Sequence, residues 1–477
     1  MIFDFKPKVP AMTHEEVIKQ FIDEFDKSNE RKAMLEGERY YKNKNDINDR
    51  EIFCYIDKVK TIDLTKPNNK LSHAFMKLLI DEKIGYFLGK APNIVAENKD
   101  FQEKLINIFD DGVDELLNDI GVEASNKGIA WIQMYFDEKS KLKFMKIPSE
   151  QIIPLWADSF HKKLQAVIRY YYATVYEGKN KKNVLKVEYW DDKTVMYYTE
   201  YNNKLIPDVE ANRTTEPIGH YAKGNKQYRW GKVPFIYFKN NSNELNDLNY
   251  VKSIIDNYDL ITSDTSNTLE EIQNLIYVLK GYGGEELSEF MKDLKYNKAI
   301  KIDADEGAGV DTLNADLNID AVEKHLDRLK RDIYQFGQGV NMDTDKFGAN
   351  PSGVALKFLY SGLSLKVDQM ERKFKSSFKQ LFWFISQYLK ITDQGNYDPL
   401  TAKVIFHRST ITNDLELIES VNTSTGVISK KTSIAHHPWV DDVLLELKQL
   451  EKERKKDEEV YPNFPLEEPA GSEDNEE

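Results

Sequence analysis

Two long apolar seams lie between Ile319 and Lys390, and the string "FGQGVNMDTDKFGANPSGVALKF", Phe336 to Phe358, breaks them apart. Before the break, Val322, Leu326, Leu329, Ile333, Phe336 and Val340 are spaced four-three-four-three-four, which draws a narrow apolar stripe along one helix under a charged cover. After it, Asn350 can cap a new helix with Pro351 at its first position. Phe358, Leu363, Val367, Met370, Phe374, Phe378, Leu381 and Ile385 then carry a stripe to about Lys390, a rod of roughly 55 Å at about 1.5 Å per residue, with Gly362 as the expected kink. The interruption is rich in Gly, Asn, Asp and Pro, and beyond Met342 and Phe347 it has little apolar surface to anchor it, so a mobile polar loop is predicted. Whatever the fold, it must present a short polar loop between two long helices.

The rest of the chain changes period twice. From Thr13 to Tyr41, Val17, Phe21 and Phe25 mark one or two surface helices. Leu71, Phe75, Leu78, Leu79 and Tyr86 mark another, stopped by Gly89 with Pro92 beyond. A third stripe holds Phe101, Leu105, Ile108, Phe109, Val113, Leu116, Leu117 and Ile120. At Ile129 the pattern turns to β: "IAWIQMYFDEKSKLKFMKI" reads as a hairpin, and "LQAVIRYYYATVYE", "VLKVEYW", "TVMYYTEY" and "VPFIYF" extend it into an antiparallel meander rich in tyrosine and β-branched residues. Helical spacing returns from Tyr250 to Leu279, a rod of roughly 45 Å ending at "GYGGEE". A compact insertion follows, with the short strand "KAIKI", a turn and a second short run, before Ile319. After a strand "KVIFH" the C-terminal part is helical, and the acidic stretch past Val460 is expected to be disordered. The fold class is α+β.

At 477 residues the chain exceeds a single domain and has ample material for a core. A single cysteine, Cys54, excludes an internal disulfide and is expected to be a small buried hydrophobe. No leader-like N-terminal pattern and no window near ~18 apolar residues is present, which predicts a soluble intracellular product without a membrane. A net charge of -14 argues against a protein that grips nucleic acid by blanketing phosphates with cations. It leaves open one that lets nucleic acid pass.

Enzyme signatures are scarce. "GYFLGKAP" and "GYGGEE" lack the spacing and the Ser or Thr of a phosphate-binding loop and read as helix ends. His436 and His437 are adjacent, whereas metal ligands want spacing, and a loop leading to Pro438 accounts for them. Pairs such as Asp110 with Asp111 stand near no nucleophile or base signature. No catalytic residue, metal or cofactor is predicted. Lys324, Arg328, Lys330 and Arg331 resemble a nucleic-acid patch, but Asp320, Glu323, Asp327 and Asp332 interleave with them, and taken alone they read as a solvated helix face.

Four long stretches, in order, resemble the portal, or head-to-tail connector, proteins of tailed double-stranded DNA bacteriophages, in the form common among siphophages of Gram-positive hosts. They are "NNKLSHAFMKLLIDEKIGYFLGKAP", "DLITSDTSNTLEEIQNLIYVLKGYGG", the run from "LDRLKRDIYQFGQGVNMDTDKFG" through "PSGVALKFLYSGLSLKVDQMERKF", and "TGVISKKTSIAHHPWVDDVLLELKQLEKE". The likeness spans about Lys6 to Lys455. It implies a non-enzymatic ring of about twelve subunits at one capsid vertex, assembled in the host cytoplasm, through which the genome enters and leaves. It further implies a wing over 1–249, a first stem helix over 250–280, a clip over 281–318 and a second stem helix over 319–340. A tunnel loop over 341–353, a long wing helix and strand over 354–410, a helical crown over 411–460 and a disordered tail over 461–477 complete the division. Implied partners are the terminase motor, major capsid and scaffolding proteins, a head-completion adaptor and the passing DNA.

Within that resemblance Asn341, Asp343, Thr344, Asp345, Lys346, Phe347, Gly348 and Asn350 belong to the tunnel loop, and Lys324, Arg328, Lys330 and Arg331 are candidate channel-lining residues. Gly339 and Gly348 would allow backbone swings, Asp343 and Asp345 would repel phosphate, and Lys346 is the cation placed to touch it without reading sequence. The two short β runs of the clip are too brief to stand alone and are expected to pair across subunits. Rival readings are a packaging enzyme, ATPase or nuclease, and a capsid scaffold or adaptor with no lumen.

Overall fold

The first helix starts where local chemistry allows it. The Thr13 amide donates to Glu16 Oε2 at 2.9 Å while the Thr13 hydroxyl accepts from the Glu16 amide, a reciprocal cap. The computed structural model describes residues 12–56, 58–177, 180–212, 214–223, 226–272, 276–280, 309–313, 318–341, 353–409, 414–440 and 443–460. Helix α1 (His14–Lys27) gives way at Ser28, whose side chain caps α2 (Asn29–Tyr41). Two apolar faces overlap in α1. The one carrying Ile18, Ile22 and Phe25 joins the core, so Val17 and Phe21 are displaced from the expected stripe and Phe21 is 37% exposed.

A hairpin of β1 (Phe53–Ile56) and β2 (Val59–Ile62) precedes α3 (Phe75–Leu88), which Gly89 ends as expected. Cys54 sits half-exposed on β1 and is no part of the core, because the hairpin has none beneath it. After β3 (Asn93–Ala96), the single stripe expected from Phe101 to Ile120 is two helices, α4 (Lys99–Ile108) and α5 (Asp111–Lys127). Asp110 causes the break by capping α5, its Oδ1 accepting from the Val113 amide at 3.1 Å. Gly128 closes α5 at φ 83°, where a Cβ would lie 1.9 Å from the Glu244 carbonyl oxygen, so only glycine fits.

The β region follows the period-2 reading closely. Its strands are β4 (Ile129–Phe136), β5 (Leu142–Ile147), β6 (Ile152–Trp156), β7 (Leu164–Glu177), β8 (Asn180–Trp190), β9 (Thr194–Tyr201) and β10 (Lys204–Pro207). After the short α6 (Val209–Asn212) come β11 (Ile218–Gly219), β12 (Tyr221–Lys223), β13 (Lys226–Tyr228) and β14 (Phe235–Lys239). One antiparallel sheet runs β10-β9-β8-β7-β6 with β11 beside β9, while β14-β4-β5 form a second. Ile18 and Ile22 of α1 join Val167, Ile168, Val187 and Val195 of the large sheet in one core.

Helix α7 (Lys252–Ile272) is shorter than the rod expected to Leu279. Ile276–Lys280 is instead β15, paired antiparallel with β16 (Gly309–Leu313) from Ile276↔Leu313 to Lys280↔Gly309. The run "IYVLK" is aromatic and β-branched, and a strand partner overrides its helical spacing. The second short run of the insertion therefore pairs within its own chain rather than across subunits; "KAIKI" lies outside the described residues, as does the tail past Val460.

Then come α8 (Ile319–Gly337), α9 (Gly353–Leu359), α10 (Ser361–Ile391) and β17 (Ala402–Ile405), which pairs with β3. The break before α10 falls at Tyr360 rather than at Gly362, and Phe358 is 76% exposed, outside the stripe. From Leu363 to Ile385 every predicted stripe residue is buried to 1% exposure or less. Helices α11 (Asp414–Thr423), α12 (Lys430–Ala435) and α13 (Val443–Val460) close the chain. Two compact units result, Met1–Asn341 with Ser361–Ser409, and Met342–Tyr360 with Thr410–Glu477.

Candidate functional site

Helix α8 has a capped start, with Asn318 Oδ1 accepting from the Ala321 amide at 3.1 Å, and a seam that buries Leu329, Ile333 and Gly337. Phe336, expected in that seam, is 56% exposed. Gly337 takes its place because the helix comes so near α3 that a Cβ there would stand 2.8 Å from Leu79 Cδ1. At about 100° per residue, Lys324, Arg328 and Arg331 fall at i, i+4 and i+7 on the face opposite the seam, and all three are exposed. Lys330 points elsewhere and is half-buried, so the sequence-predicted quartet is a trio plus one. Asp320, Glu323 and Asp327 make an exposed acidic stripe beside the basic one.

Helix α8 runs back along α7. Phe75 of α3 stacks edge-on with Tyr258 of α7 at 5.0 Å and with Tyr334 of α8 at 6.4 Å, and the Gly337 site faces Val251. The last turn of α8 thus lies by the first turn of α7, and the β15–β16 pair links their other ends.

Where the chain leaves α8 it is tied down. Gln338 ends the helix in the left-handed region at φ 55°. Lys366 Nζ of α10 donates to the Gly337 carbonyl at 2.8 Å, and the Val340 amide donates to Glu82 Oε2 at 3.0 Å. A Cβ on Gly339 would approach Leu79 Cδ2 to 2.3 Å, so close packing against α3 favours glycine here. Asn341, half-buried, closes this segment. The rest of the predicted loop set, Asp343, Thr344, Asp345, Lys346, Phe347, Gly348 and Asn350, lies outside the described residues.

Behind this anchor sits a buried charge cluster that sequence reasoning missed. Asp247 Oδ2 lies 2.9 Å from Lys83 Nζ and 3.1 Å from Lys366 Nζ, and Asn240 Nδ2 donates to its Oδ1 at 2.9 Å. Lys83 also donates to the Ser125 hydroxyl at 3.0 Å. Burial alone would raise Asp247, but the ammonium groups of Lys366 and Lys83 outweigh it and hold the carboxyl down at about 2. Burial pushes Lys83 down to about 8 against the opposing pull of Asp247, and it raises Glu82 against its Val340 hydrogen bond. One signal was available: Lys83 stands among the buried Leu79, Ile80, Ile84 and Phe87 of α3, where a lysine needs a partner. The pairing joins positions 164 apart and shows in no local pattern.

These groups make a rigid joint and supply neither a nucleophile nor an open site. Among the described residues no cluster of three or more His, Cys, Asp or Glu could hold a metal, and no helix is long and apolar enough to cross a membrane. Such a chain, built of long helices with a fixed charged face, fits a phage portal protein, a structural component of the virion. The family "Phage portal protein, SPP1 Gp6-like" matches residues 20–460, and the chain belongs to it. It is 34% identical over 466 residues to the portal protein of Bacillus phage SPP1, covering 97% of this chain and 90% of that one. With the portal protein of Clostridium phage phiCD119 it shares 34% identity over 454 residues, 91% of this chain and 96% of that one. Among solved structures, a chain of the neck of a native GTA particle computed with C12 symmetry aligns at TM-score 0.37 and 10% identity, over 76% of this chain and 88% of that one, a likeness too slight to argue from. The protein forms the DNA-passage portal at the capsid vertex and is not an enzyme.

Proposed function

We propose that copies of this chain close into a ring of about twelve around the DNA path, with α7 and α8 as its stem running along the channel. The observation that carries this reading is the face of α8 opposite its seam. Lys324, Arg328 and Arg331 stand there exposed, flanked by Asp320, Glu323 and Asp327, on a helix whose other side is fixed to α3 and α7. Mixed charge on a rigid wall gives a passing polyanion contacts without a deep well, since strong phosphate neutralisation would make DNA stick. Lys330 is a weaker candidate, being half-buried.

In this reading the β-rich region with its helices is the wing, the β15–β16 pair belongs to the clip and α11 to α13 form the crown. Asn341, Asp343, Thr344, Asp345, Lys346, Phe347, Gly348 and Asn350 are the loop that meets DNA, an assignment that rests on the family resemblance. The terminase motor, capsid and scaffolding proteins and the head-completion adaptor dock on the ring by the same token. Negative-stain images of the purified full chain test the ring; end views without an open axis defeat it. Replacing Lys324, Arg328 and Arg331 together with glutamine should leave rings intact and change the rate or length of DNA packaged, and unchanged packaging removes the stripe from the channel.

A further inference from the structure

The β1–β2 hairpin is an oddity in the larger unit. Among the described residues its strands pair only with each other, and the register puts Phe53 (42% exposed), Tyr55 (74%) and Ile62 (45%) on one face with Lys60. A two-stranded hairpin open on both faces is marginal in water, and a contiguous apolar surface of this kind marks a contact. Its base, by contrast, is held firmly on α7: Arg50 bonds Asp264, the Asn69 amide donates to Asn267 Oδ1 at 2.7 Å, and Asn69 Nδ2 donates to Glu270 at 2.9 Å.

We propose that this hairpin seats against the flank of α8 of a second copy of the chain, Lys58 and Lys60 facing the carboxylates of Glu323 and Asp327, which leaves Asp320 beside Lys324, Arg328 and Arg331 on the channel face. The contact rests on the ring reading above, with the stem along the axis. Because α8 runs back along α7, the level of Asp264 to Glu270, where the hairpin is rooted, is the level of the first two turns of α8. Rotation about a ring axis moves a surface sideways and keeps its height, so a feature at that level meets the neighbour at that level. There the neighbour offers the acidic stripe and Ile319, itself 49% exposed, to meet Lys58, Lys60 and the apolar face of the hairpin, while Asp63 is turned to its own Thr65, whose amide donates to it at 2.9 Å. Hairpin and stripe are different surfaces of one chain, as a closed heterologous ring requires.

The test uses the full chain with Cys54→Ser as background. Lys60→Cys combined with Glu323→Cys, oxidised after assembly, should give a non-reducing ladder of chain multiples, and neither cysteine alone should. Independently, Lys58→Glu with Lys60→Glu should lower the fraction of chain in rings by about tenfold at low salt, and Glu323→Lys with Asp327→Lys should restore it. Rings that form without a ladder, or charge reversal without rescue, overturn the contact and leave the ring standing. In the Cys54→Ser background, a Lys60→Cys thiol that stays open to a thiol reagent in rings until another virion protein is added also overturns it, in favour of that partner. A wild-type chain that never forms rings overturns the ring reading and this contact together.

Discussion

The two units of the chain are built on opposite terms. In the larger, α10 alone buries Phe374, Phe378, Phe382 and Phe384 to 1% exposure or less, and a fully enclosed aspartate ties two lysines from two different helices. In the smaller, Tyr360 is the single buried residue among those described, while Phe358, Val427, Trp439 and Leu445 are between 66% and 86% exposed. Three of its described helices are short, at 7, 10 and 6 residues, a length at which isolated helices are marginal without a packed face, and the fourth, at 18 residues, has no buried residue among those described. The larger unit is stabilised by its own interior. Among its described residues the smaller unit has almost no interior of its own, which suits a part that is completed when subunits assemble.

The sharpest way to break this contrast is to attack the buried cluster. Asp247→Ala strands the ammonium of Lys83 in a site with 1% exposure and removes the carboxylate beside Lys366, so the larger unit should lose about 3–5 kcal/mol in denaturant unfolding. Lys83→Met together with Asp247→Leu should cost much less, since no charge is left stranded. Equal losses in the two variants would show that packing, and not charge pairing, holds this joint.

Acid offers a gentler probe of the same group. The folded Asp247 carboxyl is held at about 2, below its ordinary 3.8, so its contribution is complete above pH 3.8 and drains away as pH falls toward 2. The stability gap between wild type and Asp247→Asn should therefore narrow by roughly 2 kcal/mol from pH 5 to pH 2. A gap that stays constant would mean that the carboxylate is not charge-stabilised. No described residue of the smaller unit is buried and titratable apart from Tyr360, so that unit should add nothing to the difference.

Steric fit at the end of α8 comes next in size. Gly339→Ala drives a methyl group against Leu79, and a cost of about 1–3 kcal/mol is expected, partly recovered by Leu79→Ala. Lack of recovery would show that the contact with Leu79 is not what requires glycine at 339, and would favour the backbone freedom expected of it.

Periodicity made most of the larger unit legible, because burial of one face repeats along an element. The stripe from Leu363 to Ile385 and the strands from Leu164 to Tyr201 needed nothing more. Errors fell where two patterns competed or a contact came from far away. In α1 two faces overlapped; in α8 a glycine displaced Phe336 for the sake of Leu79; past Ile272 a strand partner more than thirty residues on overruled helical spacing. Lys324, Arg328 and Arg331 were found by composition, yet only the helix axis separates them from Lys330. The joint of Lys83, Asp247 and Lys366 draws on three distant segments and left one local trace, a lysine on an apolar face.

The smallest expected effect bears hardest on the contrast. Trp439 and Leu445 are large apolar residues of the smaller unit, and in a packed core their loss would cost several kcal/mol. At 76% and 66% exposure they have little burial to lose, so Trp439→Ser with Leu445→Ser should shift unfolding of the unassembled chain by no more than about 0.5 kcal/mol. The same pair should weaken assembly measurably if outside contacts order this unit, as read from the concentration at which oligomers dissociate. A loss of 2 kcal/mol or more in the unassembled chain would reveal a core in the smaller unit and erase the difference between the two. No change in either measurement would leave that unit's apolar surface without a role in holding copies together.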